Sequence, residues 1–254
     1  MDKTLAIAAN TFREAIRDRV LYLLLGFALL MIGSSIFLSL LTVGSREKII
    51  IDLGLSAISL FGVLSAIFLG VGLVFKEIDK RTIYTIVTKP VGRAQFILGK
   101  YLGLVLTLSV NLVVMTLGFY ALLLYEGAAH ARLLPAIGLT LLELLVVTAL
   151  ALLFSSFSTP ILSALFTLGA YLAGQLSWSL RLLQDRLDPG IGRAVCEFFY
   201  WVLPNLWRFN IRAEVTHAVP VPLAEVGLTA VYGLAYAALL VFIACLSFER
   251  RDFT

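Results

Sequence analysis

The run Ala136-Ile-Gly-Leu-Thr-Leu-Leu-Glu143-Leu-Leu-Val-Val-Thr-Ala-Leu-Ala-Leu-Leu-Phe-Ser-Ser-Phe157 decides the fold. It is 22 residues long and carries a single ionisable group, Glu143. A helix rising ~1.5 Å per residue needs roughly 20 residues to cross ~30 Å of hydrocarbon. The run is continuously apolar rather than alternating, which favours a helix over a barrel strand. Five further windows read the same way: Val20–Val43, Leu53–Phe75, Tyr101–Leu124, Pro160–Leu180 and Val226–Ser247. The six windows hold 136 of the 254 residues but only one of the 36 charges, Glu143. An even spread of the 14% charged residues would place about 19 there. Hydrophobic residues make up 60% of the chain, against about 45–50% in a soluble domain. A soluble fold, a disordered chain and a disulfide scaffold are excluded, the last because only Cys196 and Cys245 are present. The expected fold is an all-α integral membrane protein with six transmembrane helices. The first window is too long for the apolar core of a cleaved leader, so it is kept as a span.

Six spans put both termini on one side. Lys and Arg number 12 on that side, six of them in the 76–100 loop, and eight on the other, five of them in the 181–225 loop. This bias predicts cytoplasmic termini. It also accounts for the net charge of +4 without a nucleic-acid partner.

Residues 1–19 place Leu5, Ala9, Phe12 and Ile16 at helical spacing, with Arg13, Glu14, Arg17 and Asp18 on another face. That pattern predicts an amphipathic interfacial helix; a cytosolic extension of the first span is the alternative. The 181–225 loop is rich in aromatics, notably Phe198, Phe199, Tyr200, Trp201, Trp207 and Phe209. It predicts a structured outer loop with interfacial or re-entrant helices between spans five and six. A purely anchoring role for that loop stays open.

A membrane enzyme would need a catalytic constellation. All seven Asp residues lie outside the spans, and His130 and His217 have no ligand-spaced neighbours, so no catalytic or metal residue is assigned. The nearest approach to a phosphate-binding loop is Gly99–Lys100. It has Ala94 where Gly is required and Tyr101 where a Ser or Thr would hold magnesium. Any nucleotide chemistry belongs to another chain. Glu143 lies about 10 Å inside its span at ~1.5 Å per residue, where a charge must face protein or water, or be protonated. It is a candidate for the translocation path or a subunit interface, with Asn111 and Gln175 as further polar groups of the bundle. Snorkelling or a satisfied buried hydrogen bond is the other reading.

The most charged stretch is Lys76-Glu77-Ile-Asp-Lys80-Arg81-Thr82-Ile83-Tyr-Thr-Ile86-Val87-Thr-Lys89-Pro90-Val-Gly-Arg93-Ala-Gln-Phe-Ile-Leu-Gly99-Lys100. Ile83, Ile86 and Val87 form a short apolar helical ridge that ends at Pro90. On physics alone it is a solvated loop with an interfacial helix, or a helix that docks in a partner's groove.

From Glu77 to Lys100 the stretch resembles the cytoplasmic loop of ABC-2-type ABC transporter permeases: a Glu, a Thr-initiated apolar helix, a Pro, an Arg and a closing Gly-Lys. Arg81 stands where that family commonly has Gly. The runs Leu203-Pro-Asn-Leu-Trp-Arg-Phe-Asn210 and Phe248-Glu-Arg-Arg-Asp-Phe253 look similar to the branch that includes permeases of the copper-enzyme maturation type. The resemblance implies one permease domain over 1–254 in the cell inner membrane. It implies the transmembrane subunit of an ABC exporter, with no catalytic activity or cofactor of its own. ATP and Mg would be bound by a partner ATPase. Glu77, Lys80, Arg81, Thr82, Ile83, Ile86, Val87, Lys89, Pro90 and Arg93 would dock that ATPase as a coupling helix, and two permease copies would pair. The rival readings are a non-transporting subunit that transmits ATPase work to an extracytoplasmic partner, and a polytopic membrane enzyme. Three Met and no His cluster argue against a copper path through the chain.

Overall fold

The structure is a computed structural model that describes residues 3–40, 46–79, 92–186 and 190–249. Among the described residues the regular structure is helical. The helices are α1 (Lys3–Ile16), α2 (Arg19–Leu40), α3 (Arg46–Asp79), α4 (Arg93–Tyr125), α5 (Leu134–Phe157), α6 (Pro160–Gln175), α7 (Ser177–Arg186), α8 (Ile191–Val202), α9 (Arg212–Thr216) and α10 (Leu223–Glu249). Single 3₁₀ turns precede α5 (Ala131–Leu133) and α9 (Leu206–Phe209).

Among the described residues five helices are long and apolar enough to span a membrane: α2, α3, α4, α5 and α10. Their burial differs. The most apolar stretch of α3 is 72% buried and that of α5 is 67%, against 28% for α2 and 39% for α10. Lipid is as apolar as leucine, so helices in a membrane associate where small residues allow close approach. Helix α3 follows that rule. Gly54 lies against the Phe119 ring of α4, Gly62 against Leu144 of α5, and a methyl group at Gly70 would sit 2.7 Å from Cβ of Ala151. Four buried threonines are satisfied within their own helices: Thr107, Thr140, Thr148 and Thr167 each donate to the carbonyl four residues earlier.

The fifth expected span, Pro160–Leu180, is not one continuous helix. Helix α6 has 16 residues, about 24 Å at ~1.5 Å per residue, and stops at Gln175. Three attachments divert the chain there. Gly174 packs against the carbonyl of Pro204 and against Leu206. The Gln175 amide donates to Glu143. Ser177 donates to Asn205 at 2.7 Å. The outer loop expected over 181–225 is thus entered early, at Ser177, and is built of short helices α7, α8 and α9. Leu206 and Phe209 are buried, with Phe209 against Gly233 of α10, while Phe198, Trp201 and Trp207 are exposed. This segment forms a cap over one end of the bundle.

The opposite end gathers α1, the start of α4 and the end of α10. Phe96 stacks on Phe248 at 5.7 Å, and the Cys245 thiol donates to the Ala94 carbonyl at 3.9 Å. The first and last helices are therefore both held by the start of α4.

Candidate functional site

Glu143 is 3% exposed and sits where α3, α5, α6 and the cap converge. Ser59 of α3 donates to its Oε2 at 3.4 Å. Gln175, the last residue of α6, donates to its Oε1, and the Tyr171 hydroxyl lies 3.5 Å from the same amide nitrogen. The guanidinium of Arg212, from α9, is the positive charge that acts on the carboxylate. Arg212 is itself held from two sides, by donation to Ser56 of α3 and to Asn210 of the cap, each at 2.9 Å.

This arrangement follows from the membrane's chemistry. A carboxylate inside a span is tolerated only where donors surround it. The amide at the end of α6 and the guanidinium of the cap supply them. What this node can do is hold the cap end of three helices in one arrangement and release them when its hydrogen bonds exchange.

The structure brings together two of the three intrabundle residues singled out from sequence, Glu143 and Gln175. Asn111 lies elsewhere: its amide donates to Ser65 at 3.3 Å, six residues along α3 from Ser59 and about 9 Å away by helical rise. Ser56, Ser59, Tyr171 and Arg212 were missed by sequence reasoning. Arg212 stands 69 residues from Glu143 in a loop without periodicity, so no local signal could pair them.

At the loop end the coupling residues Lys80, Arg81, Thr82, Ile83, Ile86, Val87, Lys89 and Pro90 lie outside the described residues. Glu77 belongs to the last turn of α3, and Arg93 is the exposed first residue of α4. The closing Gly99–Lys100 takes an unforeseen place. Methyl groups at Gly99 and Gly103 would lie 2.9 Å from the carbonyl of Thr4 and 2.6 Å from that of Ala8. Helix α1 thus crosses α4 at backbone contact. Lys100, counted from sequence as a loop cation, is fully buried, with its Nζ 3.8 Å from Oε2 of Glu14 and 5.9 Å from the Phe96 ring centre.

The packed face of α1 also differs from expectation. Ala8, Thr11 and Ala15 are buried, whereas Leu5 is exposed and Ala9, Phe12 and Ile16 are half-buried. The face of α1 that meets the glycines of α4 carries Thr4 and Ile7 at Gly99 and Ala8 and Thr11 at Gly103. Leu5, Phe12 and Ile16 are left on the outer side.

A protein-family model described as "ABC-2 family transporter protein" matches residues 5–253, nearly the whole chain. No curated protein matches it.

Proposed function

The chain belongs to the ABC-2 family of transporter proteins, and from that premise we propose that it is the permease subunit of an ATP-driven ABC exporter. ATP and Mg are handled by a separate ATPase, and two copies of this chain pair in the cell inner membrane. The observation that carries this reading is that α1 and the end of α10 both pack on the start of α4, the helix that follows the charged stretch. In this reading residues 77–93 form the coupling segment, with Ile83, Ile86 and Val87 gripping a cleft in the ATPase and Glu77, Lys80, Arg81 and Arg93 orienting it.

In this reading the chain crosses the membrane six times, with α6 as a short crossing completed by the cap and both termini in the cytoplasm. The docking of both the first and the last helix on the start of α4 supports an even number of crossings. Helix α1 lies along the cytoplasmic interface with Leu5, Phe12 and Ile16 towards lipid. Closure of the ATPase dimer on ATP drives the coupling segment. Helices α3 and α4 carry the displacement as rigid rods, and the permease halves rock apart. Glu143 and Gln175 form a node on the translocation path or subunit interface. The Leu203–Asn210 run supports placement in the branch similar to copper-enzyme maturation permeases.

The test is Ile86→Asp. A charge in the apolar ridge abolishes co-purification of the ATPase and leaves membrane insertion intact. Normal recovery of the ATPase with the variant would refute the docking assignment. A second reading, a subunit that passes ATPase work to an extracytoplasmic partner, draws on the exposed Phe198, Trp201 and Trp207 of the cap. ATPase activity that is independent of substrate would favour it.

A further inference from the structure

Helices α7 and α8 form a hairpin whose two ends are fastened together. Ser177, the first residue of α7, donates at 2.7 Å to Asn205, which follows the end of α8 at Val202. The depth of that junction comes from its neighbours. Gln175 donates to Glu143, which lies seven residues, about 10 Å, inside the apolar window of α5. Gly174 packs on the Pro204 carbonyl and on Leu206, so the chain leaves the hairpin at the depth at which it entered. Half of a hydrocarbon core is ~15 Å thick. The hairpin is therefore rooted about two-thirds of the way into one leaflet. Helix α7 has 10 residues, about 15 Å, and is long enough to return from that depth to the head groups.

The side chains follow the same gradient. Near the root the exposed residues are Trp178 and Leu182 of α7 and Phe198, Trp201 and Val202 of α8, with Trp201 77% exposed. They continue the exposed stripe of α6 formed at helical spacing by Leu165, Leu168, Leu172 and the following Leu176. The charges nearest the root, Arg181 and Glu197, stand four residues from Ser177 and five from Val202. The Arg181 guanidinium lies 5.8 Å from the Tyr200 ring centre and 3.5 Å from its hydroxyl, a partner of the kind a charge needs where water is scarce. In sequence, Asp185, Arg186, Asp188 and Arg193 gather at the far ends of the two helices and between them. Apolar and aromatic residues at the root, with charges at the far end, match the passage of a leaflet from acyl chains to head groups. We propose that the α7–α8 hairpin is re-entrant: it is inserted in the leaflet at the cap end, and its exposed aromatic surface contacts the acyl chains of that leaflet. Lipid, rather than the extracytoplasmic protein of the second reading, then covers Phe198 and Trp201. This insertion requires only that α5 span the membrane and is independent of the transport reading.

The three tryptophans of the chain, Trp178, Trp201 and Trp207, all belong to the cap, so tryptophan fluorescence reports on this segment alone. The test places the full chain in nanodiscs of phosphatidylcholine, with or without bromine on the acyl chains, and adds iodide to the water. Bromine quenches on contact within the hydrocarbon, whereas iodide stays outside it. Trp201→Phe combined with Trp207→Phe isolates Trp178, and Trp178→Phe combined with Trp207→Phe isolates Trp201. Brominated lipid should remove most of the emission of each, and iodide far less. The wild-type protein, with all three reporters, gives the same comparison should a variant fold poorly. Emission quenched by iodide in preference to brominated lipid would overturn the insertion and return the surface to an extracytoplasmic partner. Emission reached by neither quencher would overturn it as well, and would place the surface against a second copy of the chain.

Discussion

The seat of α1 on α4 is open to a quantitative test at Gly103. A methyl group added there would stand 2.6 Å from the Ala8 carbonyl oxygen and 2.6 Å from Cβ of Thr11. Ordinary contact begins near 3.4 Å, so α1 must retreat by 0.8 Å, and its own backbone is what blocks the way. Overpacking of this kind costs about 1–3 kcal/mol. Replacing Gly by Ala within a helix returns up to ~1 kcal/mol of propensity. Gly103→Ala therefore weakens docking by about 0–2 kcal/mol, and Gly103→Leu, with three more heavy atoms, exceeds the upper value. The assay is limited trypsin cleavage after Arg13 and Arg17, both exposed residues at the end of α1. A 14-residue helix is marginal once undocked, and cleavage then follows the undocked fraction. Gly103→Leu should accelerate cleavage at least ten-fold, about 1.4 kcal/mol. Gly26→Ala, with nothing within 4 Å of the added carbon, should leave the rate unchanged. A folded Gly103→Leu protein cleaved at the wild-type rate would show that α1 is not held through this crossing.

Three substitutions at the other end probe the node and the cap. Glu143→Gln keeps an acceptor for Gln175 but loses its charge, and should lower stability by about 1 kcal/mol; Glu143→Leu strands the Gln175 amide and the Ser59 hydroxyl and should cost about 2–5 kcal/mol. Thermal unfolding in detergent ranks the two, and a leucine variant as stable as the wild type would mean the node holds nothing together. Gly174→Val drives a side chain into the Pro204 carbonyl, 2.6 Å from the added carbon, and into Leu206. It should unseat the cap at a cost of about 1–3 kcal/mol, read as faster hydrogen exchange over residues 203–216 with the exchange of α5 unchanged.

Long apolar runs were legible because desolvation of charge is written directly into composition. Five windows correspond to helices that can span. Glu143 stood out for the same reason, as the lone charge in its run. What stayed hidden depends on contacts distant in sequence. No local feature of Pro160–Leu180 announces that Gln175 is drawn towards Glu143, or that Ser177 is tied to Asn205 across 28 residues. The misread face of α1 has another cause. In water the larger apolar stripe, Leu5, Ala9, Phe12 and Ile16, would be the packed one. Close fit to Gly99 and Gly103 turns Thr4, Ile7, Ala8 and Thr11 towards α4 instead. Apolar periodicity thus finds helices in such a protein but does not orient them. The small residues do.

Work enters a helical bundle most directly through helices that project beyond the membrane. Helices α3 and α4 run for 34 and 33 residues, about 50 Å each, against ~30 Å of hydrocarbon. Helix α4 begins eight residues before its apolar window, and that projecting stretch is where Gly99 and Lys100 meet α1. A displacement applied ahead of Arg93 therefore cannot move α4 alone. It must carry α1 with it, or separate a buried ammonium from the Glu14 carboxylate in surroundings where an unpaired charge is costly. Joint motion is the cheaper course. At the far end α3 bears Ser56 and Ser59, which hold Arg212 and Glu143, so a tilt of α3 reaches the node directly. The two buried charges are thus placed to make a push at one end register at the other, and each can be removed by substitution without touching the rods between them.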